Sequence, residues 1–176
     1  ALQELRNGEL KDVFEDDPKY NQAPELEVEC TVEPDFEARI PESFVSNVAE
    51  RINVYTRLSE IKTDEVLEEY MNQLIDRFGT LPKVLNNLIL SIRFKIAAQN
   101  IYAEKVKIVE RQAPLYFNNE LGEEFYQQDT FTRIMAAVQQ RPNHFSFKQG
   151  KNHLILTIKG FSSFRDTLEE IRLLGE

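Results

Sequence analysis

The first regular pattern along the chain is an alternation of apolar and polar residues. In the segment ELEVECTVEP, single polar residues separate the apolar positions Leu26, Val28, Cys30 and Val32. Because successive side chains of a strand point to opposite faces, this spacing predicts a half-buried strand. Pro34 ends the strand or marks the edge of a sheet, since proline has no N–H to donate to a neighbouring strand.

The spacing of apolar residues then changes to three and four, which is typical of amphipathic helices. The first predicted helix has Ser43 or Ser46 as its N-cap and an apolar face made of Val45, Val48, Ile52, Tyr55 and Leu58. The second helix is capped by Thr63 and ends at Gly79, which can adopt the left-handed conformation. The third covers about residues 82–99, and the short connections predict a compact bundle of three helices.

The second half of the chain mixes strand and helix patterns. Strands are predicted in EKVKIVE and APLYFNN, and a hairpin is predicted around Gly150, where apolar residues alternate on both sides of the turn. A helix capped by Asp129 precedes the hairpin, and a last helix begins at about Ser162 or Ser163. The predicted fold class is therefore α+β: a three-helix bundle packed with a small mixed or antiparallel sheet and two further helices.

The charge is distributed unevenly. Residues 1–37 contain twelve acids and three bases, a net charge of −9, whereas residues 38–176 contain eighteen of each. We interpret residues 1–25 as the end of a preceding helix followed by an acidic linker, and residues 26–176 as a single domain. A domain with balanced charge has no overall field that would attract nucleic-acid phosphates without a local basic patch.

Few residues suit catalysis. The chain has neither of the two standard glycine-rich phosphate-binding motifs. Because Cys30 is its single cysteine, the chain cannot form an internal disulfide. The two histidines, His144 and His153, flank the predicted hairpin and could share a metal, but no third ligand has a suitable spacing. We therefore predict a domain without catalytic, cofactor or metal-binding residues, and regard a metal- or cofactor-dependent enzyme as a distant alternative.

A small basic segment leaves a second alternative open. Lys105, Lys107 and Arg111 fall on or beside one predicted strand, and the hairpin turn adds the run Lys148 to Lys151. If all of them line one face, the domain could be a nucleic-acid-binding accessory module. The solvent-exposed side of a strand is the simpler interpretation of these residues.

The segment LIDRFGTLP raises a different question, because Asp76 and Arg77 occupy the last turn of the second predicted helix. A base at this end is favoured by the helix dipole, which explains Arg77 alone, but an acid is disfavoured there. Asp76 is either a tolerated surface residue or a contact for a partner. Local physical chemistry does not choose between the two.

Three motifs give the chain a family resemblance. Ile-Pro-Glu stands at 40–42, Arg-Ile-x-x-Tyr-x-Arg-Leu at 51–58, and Leu-Ile-Asp-Arg-Phe-Gly-x-Leu-Pro at 74–82. Together they resemble the C-terminal domain of the bacterial transcription-repair coupling factor family. The resemblance is strongest over about residues 26–110, and from 111 to 176 only the order of strands and helices agrees.

The resemblance implies a role within a much longer protein. Members of the family are multidomain ATPases that move on double-stranded DNA, remove stalled RNA polymerase and recruit UvrA in nucleotide excision repair. ATP, magnesium and DNA would then be bound by the motor and not by this segment, in the bacterial cytoplasm and away from any membrane. Residues 1–25 would comprise the last motor helix and the link that follows it.

The resemblance also assigns a role to the charged pair. In the family, the C-terminal domain is not catalytic; it docks on the UvrB-like module of the same protein, covers the surface used by UvrA and restrains the motor. The end of the second helix makes this contact, which here implies Asp76 and Arg77. Members often carry Glu three residues before the aspartate, whereas this chain has Gln73, so that a neutral hydrogen bond would replace an ionic contact.

Overall fold

The computed structural model describes residues 27–176, so the predicted helix end and linker at residues 1–25 lie outside the described residues. The first half comprises β1 (Thr31–Pro34), α1 (Val48–Glu60), α2 (Asp64–Phe78) and α3 (Lys83–Asn100). The second half comprises β2 (Lys105–Ile108), β3 (Gln112–Asn118), a 3₁₀ turn (Asn119–Leu121), α4 (Gly122–Tyr126), α5 (Asp129–Gln140), β4 (Phe145–Gln149), β5 (His153–Lys159) and α6 (Phe164–Gly175). The predicted α+β class is confirmed, with the short α4 and the 3₁₀ turn as additions.

The five strands form one mixed sheet in the order β1-β2-β3-β5-β4. Only β1 and β2 are parallel, and the other neighbours are antiparallel. A parallel pair requires a long crossover connection, and the three helices α1, α2 and α3 provide it. Pro34 is the last residue of β1, which lies at an edge of the sheet, so both predicted roles of this proline are observed.

The two faces of the sheet differ in composition. Strand register aligns a buried or partly buried row, Val106, Leu115, Leu156 and Phe147, under the helices. One residue further along, the opposite face carries the row Lys105, Tyr116, Ile155 and Lys148. Helices α3, α5 and α6 contact the strands, and their buried residues join the first of these rows in one hydrophobic cluster. The central residues of the second face, Tyr116 and Ile155, are partly exposed, so no described helix covers this face.

Two hydrophobic clusters meet at α3. The sheet core contains the buried sheet face, the C-terminal half of α3, α5 and α6, and its fully buried aromatic residues are Phe94, Phe117, Phe125 and Phe145. The helical core is smaller and aliphatic, and joins α1, α2 and the N-terminal half of α3 through residues such as Leu58, Leu67 and Leu85. Helix α3 contributes to both cores, which explains why its sequence is apolar on nearly all sides.

The predicted apolar face of α1 is partly wrong. Leu58 is buried, but Val48 and Ile52 are 61% and 58% exposed and Tyr55 is 38% exposed. The helix instead turns Val54 toward the core, and the hydroxyl of Tyr55 accepts a hydrogen bond from the Ile40 N–H at 2.7 Å. Helical periodicity fits both stripes, and the packing of α2 and α3 decides which of them is buried.

Helix caps are confirmed in two places and wrong in two others. Thr63 and Ser163 accept backbone N–H bonds at the starts of α2 and α6, as predicted. The cap of α1 is Asn47 rather than Ser43 or Ser46, and its Oδ1 accepts from the Glu50 N–H at 2.9 Å. Asp129 is the first helical residue of α5, which begins without a side-chain cap. Each of these residue types can cap a helix, so composition alone does not locate the helix start to one residue.

The alternation before α1 extends beyond the strand itself. From Glu27 to Ile40 every second residue is buried or partly buried, although only Thr31–Pro34 is hydrogen-bonded as a strand. The predicted half-buried face is therefore confirmed for Val28, Cys30 and Val32. The regular strand is shorter than predicted because its partner β2 has only four residues.

Candidate docking surface

Helix α2 is delimited by local contacts at both ends. The Thr63 hydroxyl accepts from the Val66 N–H at 3.4 Å, and Asp64 and Glu65 in the first turn are favoured by the helix dipole. At the other end the Gly79 N–H donates to the Ile75 carbonyl at 2.8 Å. The φ of Gly79 is +89°, the positive value expected there, with a ψ of −161° outside the left-handed helical region. The last turn of α2 therefore has a defined end and a defined orientation.

The structure places the three residues implied by the resemblance together on the last two turns of α2. Gln73, Asp76 and Arg77 are all exposed. At about 100° per residue they cover an arc of roughly 100° on the outer side of α2, with Gln73 between the other two. We call this group the docking surface. Its role as an interface stays a prediction.

Arg77 is tied to the neighbouring helix. Its Nη2 forms an ion pair with Oε1 of Glu50, and its guanidinium carbon lies 5.0 Å from the ring centre of Phe78. The Arg77 side chain is nevertheless 67% exposed, and that of Glu50 is 28% exposed. Glu50 lies in the first turn of α1 and Arg77 in the last turn of α2, so each charge is also favoured by the dipole of its own helix.

Asp76 has no such partner among residues 27–176. It is exposed and forms no ion pair or side-chain hydrogen bond with any residue from 27 to 176. It also lies at the negative end of α2, where a carboxylate is disfavoured by a few tenths of a kcal/mol or more. Gln73 likewise makes no side-chain hydrogen bond within the described part of the chain. The two residues therefore keep their full hydrogen-bonding capacity for a partner.

The basic residues of the nucleic-acid alternative lie on one sheet face only in part. Lys105, Lys107 and Lys148 share the uncovered face, while Arg111 lies in the β2–β3 turn with a φ of +64°. The carboxylate of Glu33 on β1 binds the ammonium groups of Lys105 at 2.6 Å and Lys107 at 3.4 Å. The hydrogen bond from Lys105 lowers the pKa of Glu33 and raises the pKa of Lys105. One acid thus forms ion pairs with two of the lysines and offsets part of their charge.

Within residues 27–176 the two histidines lie far apart. His153 is next to the hairpin turn, where its Nε2 contacts the Glu104 carboxylate, whereas Nδ1 of His144 lies 3.0 Å from the Lys159 carbonyl at the open end of the hairpin. They could not approach each other across the hairpin because they flank its opposite ends. No group of three potential His, Cys, Asp or Glu ligands occurs within residues 27–176.

Cys30 packs as an apolar residue of the sheet core. It is 7% exposed, and burial raises the pKa of its thiol to about 12. A protonated, buried thiol is a poor nucleophile. Cys30 borders a cavity of about 630 Å³ between residues 27–31, the α1–α2 connection and α3, whose lining also includes Lys62, Lys95 and Gln99. This lining does not bring a histidine to the thiol.

Two residues of interest were absent from the sequence predictions. Glu50 was not connected with Arg77, because the two are separated by 27 positions and meet only when α1 packs against α2. The ion pairs of Asp64 were not predicted either: it binds both Arg93 at 3.2 Å and Arg172 at 2.8 Å. Many chains have an acid at the start of a helix and arginines elsewhere. The sequence therefore contains no specific signal for this ionic cluster.

The fold and the exposed helix end define a small α+β domain whose candidate site is a surface. A family model described as the TRCF domain matches residues 35–128, just over half of the chain. The chain therefore belongs to the TRCF, or transcription-repair coupling factor, family. The family resemblance inferred from the three sequence motifs is confirmed.

Curated relatives agree with this assignment. The transcription-repair-coupling factor of Escherichia coli K12 is 28% identical over 131 residues, 72% of this chain and 11% of the relative. The protein of that name from Staphylococcus haemolyticus is 25% identical over 156 residues, 89% of this chain and 12% of the relative. The chain thus spans only about a tenth of the length of these relatives.

A solved structure has the same fold. A crystal structure of the C-terminal domain of transcription-repair coupling factor superposes with a TM-score of 0.66 at 20% identity, covering 85% of this chain and 91% of the other. This likeness confirms the α+β architecture of a C-terminal domain of the family. Among the described helices, none is both long and apolar enough to span a bilayer.

Proposed function

We propose that this chain is a non-catalytic regulatory domain of a transcription-repair coupling factor. In this proposal the docking surface binds the UvrB-like module of the same protein, masks the surface used by UvrA and restrains an ATP-dependent DNA translocase. The protein would release this contact when it engages stalled RNA polymerase. The family membership supports the context, and the exposed end of α2 supports the site.

The main support for the proposal is the environment of the Asp76 side chain. An exposed acid that opposes its helix dipole and lacks any partner among the described residues contributes little to folding. Next to it, Arg77 is held in place and still largely exposed. An acid without a partner in the described structure, beside an oriented base, is the pattern expected of a polar interface that is only sometimes occupied.

The polar character of the surface suits a contact that must open. Docking within one protein occurs at a high effective concentration, so a modest polar interface is sufficient to keep the two modules together. Charged contacts at the edge of an interface contribute specificity and fast association more than affinity. A competing partner can therefore displace such a domain without breaking a large apolar surface.

The nucleic-acid alternative has less support. Three of its lysines share the uncovered sheet face, but two of them form ion pairs with Glu33, and single-stranded nucleic acid is bound by continuous basic grooves. A filter-binding assay at low salt separates the alternatives. Retention of duplex or single-stranded DNA by the isolated chain would favour the accessory module over the regulatory domain.

The proposal is tested in the full-length protein with the double substitution Asp76→Ala plus Arg77→Ala. We expect both the ATPase rate and the capture of UvrA to rise, because the docking surface loses its two charged contacts. The matched control is Glu60→Ala plus Lys62→Ala, which removes one exposed acid and one exposed base at the opposite end of the α1–α2 pair. Unchanged activities in the first variant, with the fold intact, would contradict the proposed lock.

A further inference from the structure

The contact between α1 and α2 places a second helix beside the docking surface. Glu50, in the first turn of α1, is on the side of that helix that meets the last turn of α2, and it forms the ion pair with Arg77. At the other end of the same contact, the Arg57 guanidinium carbon lies 6.0 Å from the ring centre of Tyr70. The two helices are therefore connected at two points, at the last turn of α2 and near its middle.

The ion pair uses only part of the hydrogen-bonding capacity of Arg77. A guanidinium has five N–H donors, and Glu50 occupies the Nη2 position. The Phe78 ring, 5.0 Å from the guanidinium carbon, restricts the side chain further. With 67% of the side chain exposed, the remaining donors are accessible to solvent and to a partner.

We infer that Glu50 is a positioning residue of the docking surface. It acts through Arg77, whose guanidinium it holds so that the free N–H groups are ready to bind an acceptor on the partner. A free arginine side chain loses rotamer freedom when it is immobilised in an interface, and a side chain already held by a neighbour loses less. This inference rests on the proposed docking function.

The same residues indicate the chemistry of the partner surface. Glu50, Asp76 and Arg77 carry two negative charges and one positive charge, and Gln73 is neutral. A complementary protein surface carries a base opposite Asp76 and a carboxylate or carbonyl acceptor opposite Arg77, with more bases than acids overall. The positioned arginine then fixes the register of the contact, since a guanidinium binds a planar acceptor in a defined geometry.

The test compares Glu50→Ala, Glu50→Gln and Arg77→Ala in the full-length protein, with ATPase rate and UvrA capture as readouts. We expect Glu50→Ala to raise the ATPase rate and UvrA capture by about two- to fivefold, which corresponds to the free energy of an exposed ion pair. Arg77→Ala is expected to raise them further. Glu50→Gln keeps an acceptor for the guanidinium and is expected to fall between wild type and Glu50→Ala. Glu42→Ala, which removes the exposed partner of Arg51, is the control.

A double-substitution cycle separates positioning from a general structural effect. If Glu50 acts through Arg77, adding Glu50→Ala to Arg77→Ala changes nothing further, and the thermal midpoint of the single variant stays close to wild type. Additive effects, no effect of Glu50→Ala, or lower activities from it would each overturn the inference. If Arg77→Ala and Asp76→Ala are themselves silent, the proposed function fails rather than the role of Glu50.

Discussion

The sheet core and the helical core meet at α3, yet they are built differently. The sheet core contains the four fully buried phenylalanines, and the rings of Phe117 and Phe125 stack with their centres 5.2 Å apart. The helical core has about half as many buried residues, 11 against 21, all of them aliphatic. Because stability scales with buried apolar area, the sheet core is the larger source of folding free energy.

The smaller core carries the candidate site. The docking surface lies on the exposed side of the C-terminal end of α2, whereas Leu67 and Leu74 of the same helix are buried in the helical core. A site placed there can gain and lose a partner without disturbing the sheet. The difference indicates a division of labour, with the sheet half stabilising the domain and the helical half presenting the proposed interface.

An ionic cluster joins the two halves in addition to α3. The carboxylate of Asp64, at the start of α2, binds Arg93 of α3 and Arg172 of α6. Arg172 also binds Glu169, and Arg93 also binds Glu68. The helical half is thereby linked to the last helix of the sheet half.

The largest effect is expected for a truncation in the sheet core. Phe117→Ala removes a ring with no exposed surface, and we expect a loss of about 3–5 kcal/mol of unfolding free energy, measured by denaturant titration. The neighbouring Tyr116 faces the uncovered side of the sheet, so Tyr116→Ala serves as the control. Equal losses from both variants would contradict the assignment of the two faces.

A truncation in the helical core is expected to cost less. Leu67→Ala empties a fully buried position on α2 and is expected to lower the unfolding free energy by about 2–4 kcal/mol. Both variants should unfold in one transition by circular dichroism and fluorescence, since α3 belongs to both cores. The control is Val66→Ala, the adjacent exposed position. Two separate transitions would show that the halves are independent units.

Breaking the ionic cluster is expected to have an intermediate effect. Asp64→Asn keeps the shape of the side chain but removes the charge that both arginines bind, and we expect a loss of about 1–2 kcal/mol. Glu65→Gln removes a charge from the same helix turn and is expected to cost only a few tenths of a kcal/mol. If high salt abolishes the difference between the two variants, the attraction is mainly electrostatic.

The thiol of Cys30 gives the sheet half a specific response to alkaline pH. Burial raises its pKa from 9.0 to about 12, so the unfolded chain loses this proton first. The stabilisation is complete below pH 9 and is lost as the pH rises from 9 to 12; at pH 10 the loss is about 1 kcal/mol. The unfolding free energy of Cys30→Ala should therefore fall less steeply between pH 8 and 10. Parallel curves for the two proteins would refute this prediction.

The smallest effect on stability is expected at the docking surface. Asp76→Ala plus Arg77→Ala should change the unfolding free energy by less than about 0.5 kcal/mol, because Asp76 has no partner within residues 27–176 and Arg77 forms an exposed ion pair. The measurement is the same denaturant titration. A loss above about 1 kcal/mol would mean that these residues support the fold, and changes in activity could then not be attributed to docking.

Apart from the caps of α1 and α5, predictions from the sequence succeeded where the determining contacts are local. The caps Thr63 and Ser163, the hairpin around Gly150 and the alternation near Cys30 each depend on residues within a few positions of one another. They were less accurate for α1, where Val48 and Ile52 fit an apolar stripe yet lie exposed. One helix can carry two acceptable stripes, and only its neighbours select the buried one.

The candidate site was predictable only in part. The family motif indicated Asp76 and Arg77, and the helix pattern placed them on the last turn of α2. Neither indicated that Arg77 is held by Glu50 or that Asp76 has no ion-pair partner in the described part of the chain. Ion pairs between distant segments depend on helix packing to within a few ångströms, which a period of three to four residues does not specify.

The sequence by itself determined the elements, the α+β class and the family, because these follow from local periodicity, turn residues and contiguous motifs. The tertiary structure decided how those elements combine: the parallel pairing of β1 with β2, the use of α3 by two cores and the separation of His144 from His153. It also placed Glu50 beside Arg77. These features depend on contacts between residues far apart in the chain, whose free energy is gained only when the whole domain packs.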